Sequence, residues 1–170
     1  MTETIHGSLV NVYGIGVLIR GESGVGKSEA LLDLIARGHA LVADDAVELQ
    51  RIATVLYGSA PETLKGLIEI RGIGICDVRT LYGDDAFANR CGIGVSIELT
   101  NERETAAMEP LSPLSQQIEI LGVELDHFVI ADARIRSVAT LIESVVRLVR
   151  SGGRSAEMEL IAKYNSSLAG

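Results

Sequence analysis

Gly21-Glu22-Ser23-Gly24-Val25-Gly26-Lys27-Ser28 is the stretch on which the fold turns. It fits the pattern G-x-x-x-x-G-K-[ST]. Glycines in such a loop let successive backbone N–H groups curl inward without side-chain collisions. A helix that follows points its positive N-terminal end at an anion. Lys27 supplies a point charge for the β and γ phosphates, and the Ser28 hydroxyl is suited to ligate Mg²⁺. The expected binding loop is therefore Gly21, Glu22, Ser23, Gly24, Val25, Gly26, Lys27 and Ser28. The expected ligand is a nucleotide or another polyphosphate, together with Mg²⁺.

The flanks agree with that reading. Val17-Leu18-Ile19 is a short apolar run before the loop. From Lys27 to Arg37, Ala30, Leu31, Leu34 and Ile35 recur at helical spacing, and Gly38 is placed to end the helix. Upstream, Ser8 to Tyr13 is β-rich and pairs with Gly16 to Arg20 as a hairpin turning at Tyr13-Gly14. Downstream, Ala40 to Ala43 reads as a buried strand that stops at Asp44-Asp45. Val47 to Tyr57 reads as a more exposed strand pair, and Pro61 and Gly66 mark a connector. Leu67 to Ile70 is a short strand before the Gly72 turn. Ile75 to Tyr82 fits helix or loop, and Cys91 to Leu99 fits a strand.

The polar stretch Thr100 to Gln117, with two of the three prolines, predicts an irregular surface loop. Ile118 to Leu125 and Phe128 to Ala131 predict two more strands. Ser137 is a candidate N-cap for a helix through Leu148, ended by Ser151-Gly152-Gly153. A last helix is expected from Ser155 to about Tyr164. The fold class is α/β: a nucleotide-binding domain with a phosphate loop, a mixed and mostly β-rich sheet, and C-terminal helices.

A chain of 170 residues suits one domain, here residues 1–170. Its content is 47% hydrophobic but only 4% aromatic, without Trp, so Val, Leu, Ile and Ala must build the core. The formal net charge of −8 argues against a nucleic-acid partner, which rewards clustered Lys and Arg. Cys76 and Cys91 form neither a zinc pattern nor a disulfide framework. No apolar run approaches the roughly 18 residues of a membrane span. The N-terminal residues lack the basic and apolar regions of a signal peptide, so the expected compartment is the cytoplasm.

Phosphoryl transfer needs a metal clamp and a group that orients or deprotonates the nucleophile. Asp44 and Asp45 end a strand on the side where the phosphate loop opens. One carboxylate there could hold Mg²⁺ and the other could act as a base. Glu69, between two isoleucines in a strand, is expected to face away from them.

Several segments together resemble the catalytic domain of the HPr kinase/phosphorylase family. They are His6-Gly7, Val12 to Ile19, the loop Gly21 to Ser28, Arg37-Gly38-His39, Leu41 to Glu48, Leu67 to Ile75, and Ile120 to Glu124. The resemblance implies a kinase that uses ATP or pyrophosphate to phosphorylate a serine of HPr, a small phosphocarrier of the bacterial sugar phosphotransferase system. It also implies the reverse reaction with inorganic phosphate as acceptor, and a homo-oligomer, hexameric in the family. Lys27 would contact the phosphates. Ser28 and Glu69 would bind Mg²⁺. Asp45 would be the base in phosphorylation and the acid in reverse, with His6 holding or polarising it. The segment Ile68 to Asp77 would line the site. Where the family has an arginine in a Tyr-Asp-Arg-Leu context, this chain has Met108-Glu109-Pro110-Leu111. The resemblance covers the catalytic domain alone, and the family's additional N-terminal domain is expected to be absent. The remaining alternatives are a related kinase for another protein or a small hydroxyl compound, and a non-catalytic nucleotide sensor.

Overall fold

The computed structural model describes residues 1–103 and 116–169. Among these residues the chain forms strands β1 (Thr2–His6), β2 (Ser8–Val12), β3 (Ile15–Gly21), β4 (Ala40–Ala43), β5 (Ala46–Ile52), β6 (Val55–Ser59), β7 (Leu67–Ile70), β8 (Gly74–Asp77), β9 (Cys91–Leu99), β10 (Gln116–Ile120) and β11 (Val123–Ile130). The helices are α1 (Lys27–Ala36), α2 (Val78–Tyr82), α3 (Val138–Arg150) and α4 (Gly153–Ala169).

β9 is the spine. One edge pairs in parallel with β3, which continues through antiparallel β2 to β4. The other edge is divided between two partners. Cys91 and Gly92 pair antiparallel with β6, while Val95 to Leu99 pair in parallel with β11. β6 leads on to β5 and β1, so the sheet forks along β9 and curls. The hairpin β7–β8 stands apart as a two-stranded sheet.

The fork separates two cores. Val10, Val17, Ile19, Val95, Ile97 and Leu99 pack with Leu31 and Leu34 of α1 and Ile142 and Val146 of α3. Leu9, Leu18, Val47, Leu49, Leu56, Ile93 and Leu125 pack between the two branches of the sheet. Ile93 and Val95 have the same parity along β9, yet face different cores. The register explains it: Gly16 pairs with Ile93, but Val17 pairs with Val95, which leaves Gly94 as an inserted residue. One inserted residue reverses the faces of everything beyond it.

The expected β2–β3 hairpin, α1 and β4 are present. Arg37 caps α1, with Gly38 following at φ 99°. The Gly38 N–H donates to Ile35 O at 3.0 Å and the His39 N–H to Leu34 O at 3.1 Å, a Schellman pair. Beyond it, the Glu143 carboxylate of α3 binds His39 Nε2 at 2.8 Å, the Tyr13 hydroxyl at 2.9 Å and Arg37. Hydrogen bonds from His39, then Tyr13 and Arg37, hold its carboxyl down at about 2 despite partial desolvation. This network fastens α3 to the β2–β3 turn.

Other expectations change. Thr2–His6, which precedes the first strand expected from the sequence, is an edge strand on β5. Ile75 to Tyr82 is the end of a strand followed by a short helix, with Asp77 as N-cap accepting from the Arg79 N–H at 2.9 Å. The strand boundary expected near residue 126 lies instead at Leu121-Gly122, whose φ values of 50° and 77° make a two-residue primed turn. Leucine rarely adopts that conformation, so no turn signal shows in the sequence. Ser137 precedes α3, but its hydroxyl bonds Thr140 Oγ1 rather than capping the backbone. α4 begins directly at Gly153, earlier than expected, with the Arg154 N–H donating to Asp126 Oδ2 at 3.1 Å. Of the loop expected over Thr100 to Gln117, Gln116-Gln117 belong to β10, and residues 104–115 lie outside the described residues. Met108-Glu109-Pro110-Leu111 lies outside them too.

The β3–β9 contact leaves no room for a methyl at Gly16, where a Cβ would meet Gly92 O and lie 2.7 Å from Cys91 Sγ. Gly16→Ala is expected to lower the unfolding free energy by about 2 kcal/mol, as overpacking does. Gly94→Ala, with Ile15 Cγ2 at 2.7 Å, has a flexible neighbour and should cost less. Urea denaturation of the two variants beside the wild type measures the difference.

Candidate active site

The loop after β3 is set by packing as well as by backbone freedom. A Cβ on Gly21 would sit 2.8 Å from Leu99 O and 2.9 Å from Val25 Cγ1. Gly24 and Gly26 have φ of 79° and 104°, a region that side chains resist. The Val25 N–H donates to Glu22 O at 3.2 Å, and the Val25 side chain is buried beneath the loop. Gly26 is the N-cap of α1 and offers no side chain to the helix end, so the first N–H groups of α1 face the loop unscreened.

Opposite the loop stand Asp44 and Asp45, between β4 and β5. Asp45 has φ 70°, and the Ala46 N–H donates across it to Asp44 O at 2.9 Å. That is a γ-turn of the rarer, strained form. Three contacts hold it: the Gly7 N–H donates to Asp45 O at 3.1 Å, and the Asp45 N–H meets Ser8 Oγ at 3.4 Å. The third is Asp44 itself. Its Oδ1 accepts from Ser8 Oγ at 3.1 Å and its Oδ2 from the Glu69 N–H at 3.2 Å. Asp44 therefore ties β2, the β4–β5 turn and β7 together.

The result is a cleft of about 270 Å³ whose lining includes His6, Lys27, Ser28, Asp44, Asp45 and Glu69. The Lys27 ammonium is 3.6 Å from Asp45 Oδ1, with its side chain only 11% exposed while that of Asp45 is 65% exposed. His6 Nδ1 lies 3.9 Å from the same oxygen, close but beyond hydrogen-bond range. Glu69 projects outward from β7 while its neighbour Ile68 is buried. Of the residues expected from the sequence, all but Gly21 and the buried Val25 line this one cleft. Sequence reasoning missed the roles of Ser8 and Asp44 as struts and the bond of Arg134 to the loop, whereas Arg71 falls within the segment Ile68 to Asp77 that was expected to line the site. Arg71 lines this same cleft. Arg134 Nε and Nη2 both donate to Gly24 O, at 3.1 and 2.9 Å. An Asp-Asp pair is visible in the sequence; which of the two is buried is not.

Among the described residues no three His, Cys, Asp or Glu side chains cluster closely enough to enclose a metal ion by themselves. Among the described residues, no helix is long and apolar enough to cross a membrane.

These features define a mixed α/β domain in which a curled, mostly β sheet carries a charged cleft at its strand ends and C-terminal helices close one face. The chain belongs to the HPr serine kinase C-terminal domain family, whose model matches residues 1–163. It is 46% identical over 147 residues to the HPr kinase/phosphorylase of Alkaliphilus metalliredigens, covering 86% of this chain and 48% of that one. With the HPr kinase/phosphorylase of Caldanaerobacter subterraneus it shares 49% identity over 141 residues, 82% of this chain and 46% of that one. The chain thus spans about half the length of the curated relatives it matches. A solved structure, the HPr(Ser) kinase/phosphatase from Coxiella burnetii, superposes with a TM-score of 0.78 at 39% identity. The match covers 87% of this chain and 96% of that one.

Burial is the main force raising the Asp44 carboxyl above its ordinary value, against hydrogen bonds from the Glu69 N–H and Ser8 that lower it. A carboxyl with a raised folded-state pKa contributes most stability below its unfolded value of 3.8, and that contribution is lost as pH rises through the folded value. Asp44→Asn, whose amide can still accept from the Glu69 N–H and donate to Ser8 Oγ, removes this titration. Its stability between pH 4 and 7, followed by chemical denaturation, is expected to decline less than that of the wild type.

Proposed function

We propose that residues 1–170 form a single catalytic domain that phosphorylates a serine of the phosphocarrier protein HPr, using ATP or pyrophosphate with Mg²⁺. The observation that carries the reading is the ion pair between Lys27 and Asp45, facing each other at 3.6 Å across the glycine loop and the acidic turn. Family membership and the names of the relatives support HPr as the acceptor.

In this reading Gly21 to Ser28 cradle the phosphates of the donor, with the N-terminus of α1 behind them. Lys27 neutralises the phosphoryl group being transferred. The Ser28 hydroxyl and the Glu69 carboxylate would hold Mg²⁺, which supplies charge neutralisation on the phosphate oxygens. Asp45, exposed to the acceptor side, takes the proton of the serine hydroxyl as the new O–P bond forms and the bond to the donor's leaving phosphate breaks. Run in reverse, the protonated Asp45 returns that proton to the serine oxygen while inorganic phosphate attacks. His6, beside Asp45 Oδ1, orients the carboxylate. The strained γ-turn fixes where that carboxylate points, as strain at functional positions does. The protein acts in the cytoplasm and, as the family resemblance implies, assembles with further copies of itself.

One observation favours a related kinase with a different hydroxyl substrate: Met108-Glu109-Pro110-Leu111 stands where the family carries an arginine. Purified HPr incubated with protein, ATP and Mg²⁺ should yield phosphoserine. Turnover of a small hydroxyl compound without HPr phosphorylation would transfer the reading to that second class.

Asp45→Asn is the informative variant, because asparagine tolerates the same positive φ and keeps the turn. It is expected to lose turnover by about 10²- to 10⁴-fold, the range for a general base, with ATP affinity little changed. Steady-state phosphorylation and calorimetric ATP binding check this; equal loss of both, or of neither, counts against the base. Glu69→Gln is expected to raise the Mg²⁺ concentration needed for half-maximal rate.

A further inference from the structure

Arg71 and Arg134 come from the β7–β8 turn and from the segment before α3, yet they converge on Gly24. Arg134 grips Gly24 O with two donors, at 3.1 and 2.9 Å. A Cβ at Gly24 would lie 3.6 Å from Arg134 Nη2 and 4.0 Å from Arg71 Nη2. Two guanidinium groups therefore lie near one point above the glycine loop. None of the ion pairs among the described residues includes either of them. Like charges gathered so closely repel, and an anion between them reverses the sign of the energy. A guanidinium fork suits a phosphate group better than any other common anion-binding side chain.

A second cavity, of about 430 Å³, opens beside them. It lies across Gly24 and Gly26 from Asp45 and Glu69, against Ala30 of α1 and Val138 of α3. Arg71 borders both cavities, together with Gly24, Gly26 and Glu29. The grip of Arg134 has a second consequence. Gly24, at φ 79°, is a place where the loop is free to rotate a peptide unit, and two hydrogen bonds to its carbonyl hold that unit still.

We propose that Arg71 and Arg134 form a second anion subsite at Gly24, which holds a phosphate of the donor that is not transferred. The proposal rests on the kinase reading above. The transferred group sits on the Lys27 and Asp45 side; the remaining end of a nucleotide or of pyrophosphate sits on the arginine side. Arg134 is in this sense a positioning residue for the loop as well as a ligand for the anion.

Calorimetric binding of magnesium pyrophosphate and of Mg·ATP to the wild type, Arg71→Ala, Arg134→Ala and Arg134→Lys tests it. Each alanine variant is expected to bind pyrophosphate and ATP about 10-fold more weakly, as loss of a charged hydrogen bond does. Arg134→Lys should not restore the affinity, because lysine has no fork. The melting temperature of the ligand-free variants should stay near that of the wild type, since both arginines are exposed. A loss confined to ATP supports the subsite with the nucleotide as its occupant; a loss with both ligands supports shared phosphate recognition. Unchanged affinity for both ligands overturns the subsite and leaves the kinase reading standing. An affinity loss that only follows a fall in melting temperature also overturns it. A wild-type protein that binds neither ligand overturns the kinase reading itself.

Discussion

The parallel pairing of β3 with β9 is the constraint on which the molecule depends. β3 delivers the glycine loop at its end, and β9 is the strand that receives both branches of the sheet. Two glycines make the contact possible. Gly16 lets β9 approach without a side chain between them, and Gly21 lets the loop leave β3 directly over Leu99. The inserted Gly94 then turns the two halves of β9 toward different cores. A sheet that is filled on both faces in this way needs aliphatic residues of moderate size, which matches the low aromatic content.

The cleft depends in turn on one buried carboxylate. Lys27 pairs with Asp45 rather than with Asp44, whose two oxygens are committed, one to Ser8 and one to the backbone of β7. The first bond sets the turn that presents Asp45. The second sets the strand that presents Glu69. A single side chain thus controls the spacing between the proposed base and the proposed metal ligand. Burial makes its charge costly, and the two hydrogen bonds offset that cost.

Much of the site was legible because its signals are local. The loop pattern, the helix after it and the acidic pair after β4 lie within 25 consecutive residues, and each has a mechanical reason for its residue types. The errors have local reasons as well. Leu121 sits at a positive φ that its residue type does not advertise. β1 is a polar edge strand that pairs with β5 and sends Ile5 alone to the core, so its own sequence shows little periodicity. Arg134 was overlooked because its partner, Gly24, is 110 residues away.

Sequence alone determined the glycine loop, the helix behind it, the aliphatic core and the identity of the acidic residues, because neighbouring residues and their spacing carry that information. Tertiary structure alone decided that Asp44 is a strut bonded to Ser8 and to the backbone of Glu69, while Asp45 stands exposed beside Lys27. It also decided that the residues flanking Gly94 face two cores and that Arg71 and Arg134 meet at Gly24. These are relations between segments distant in the chain. They are set by strand register and by the hydrogen bonds of a strained turn, and no local pattern encodes them.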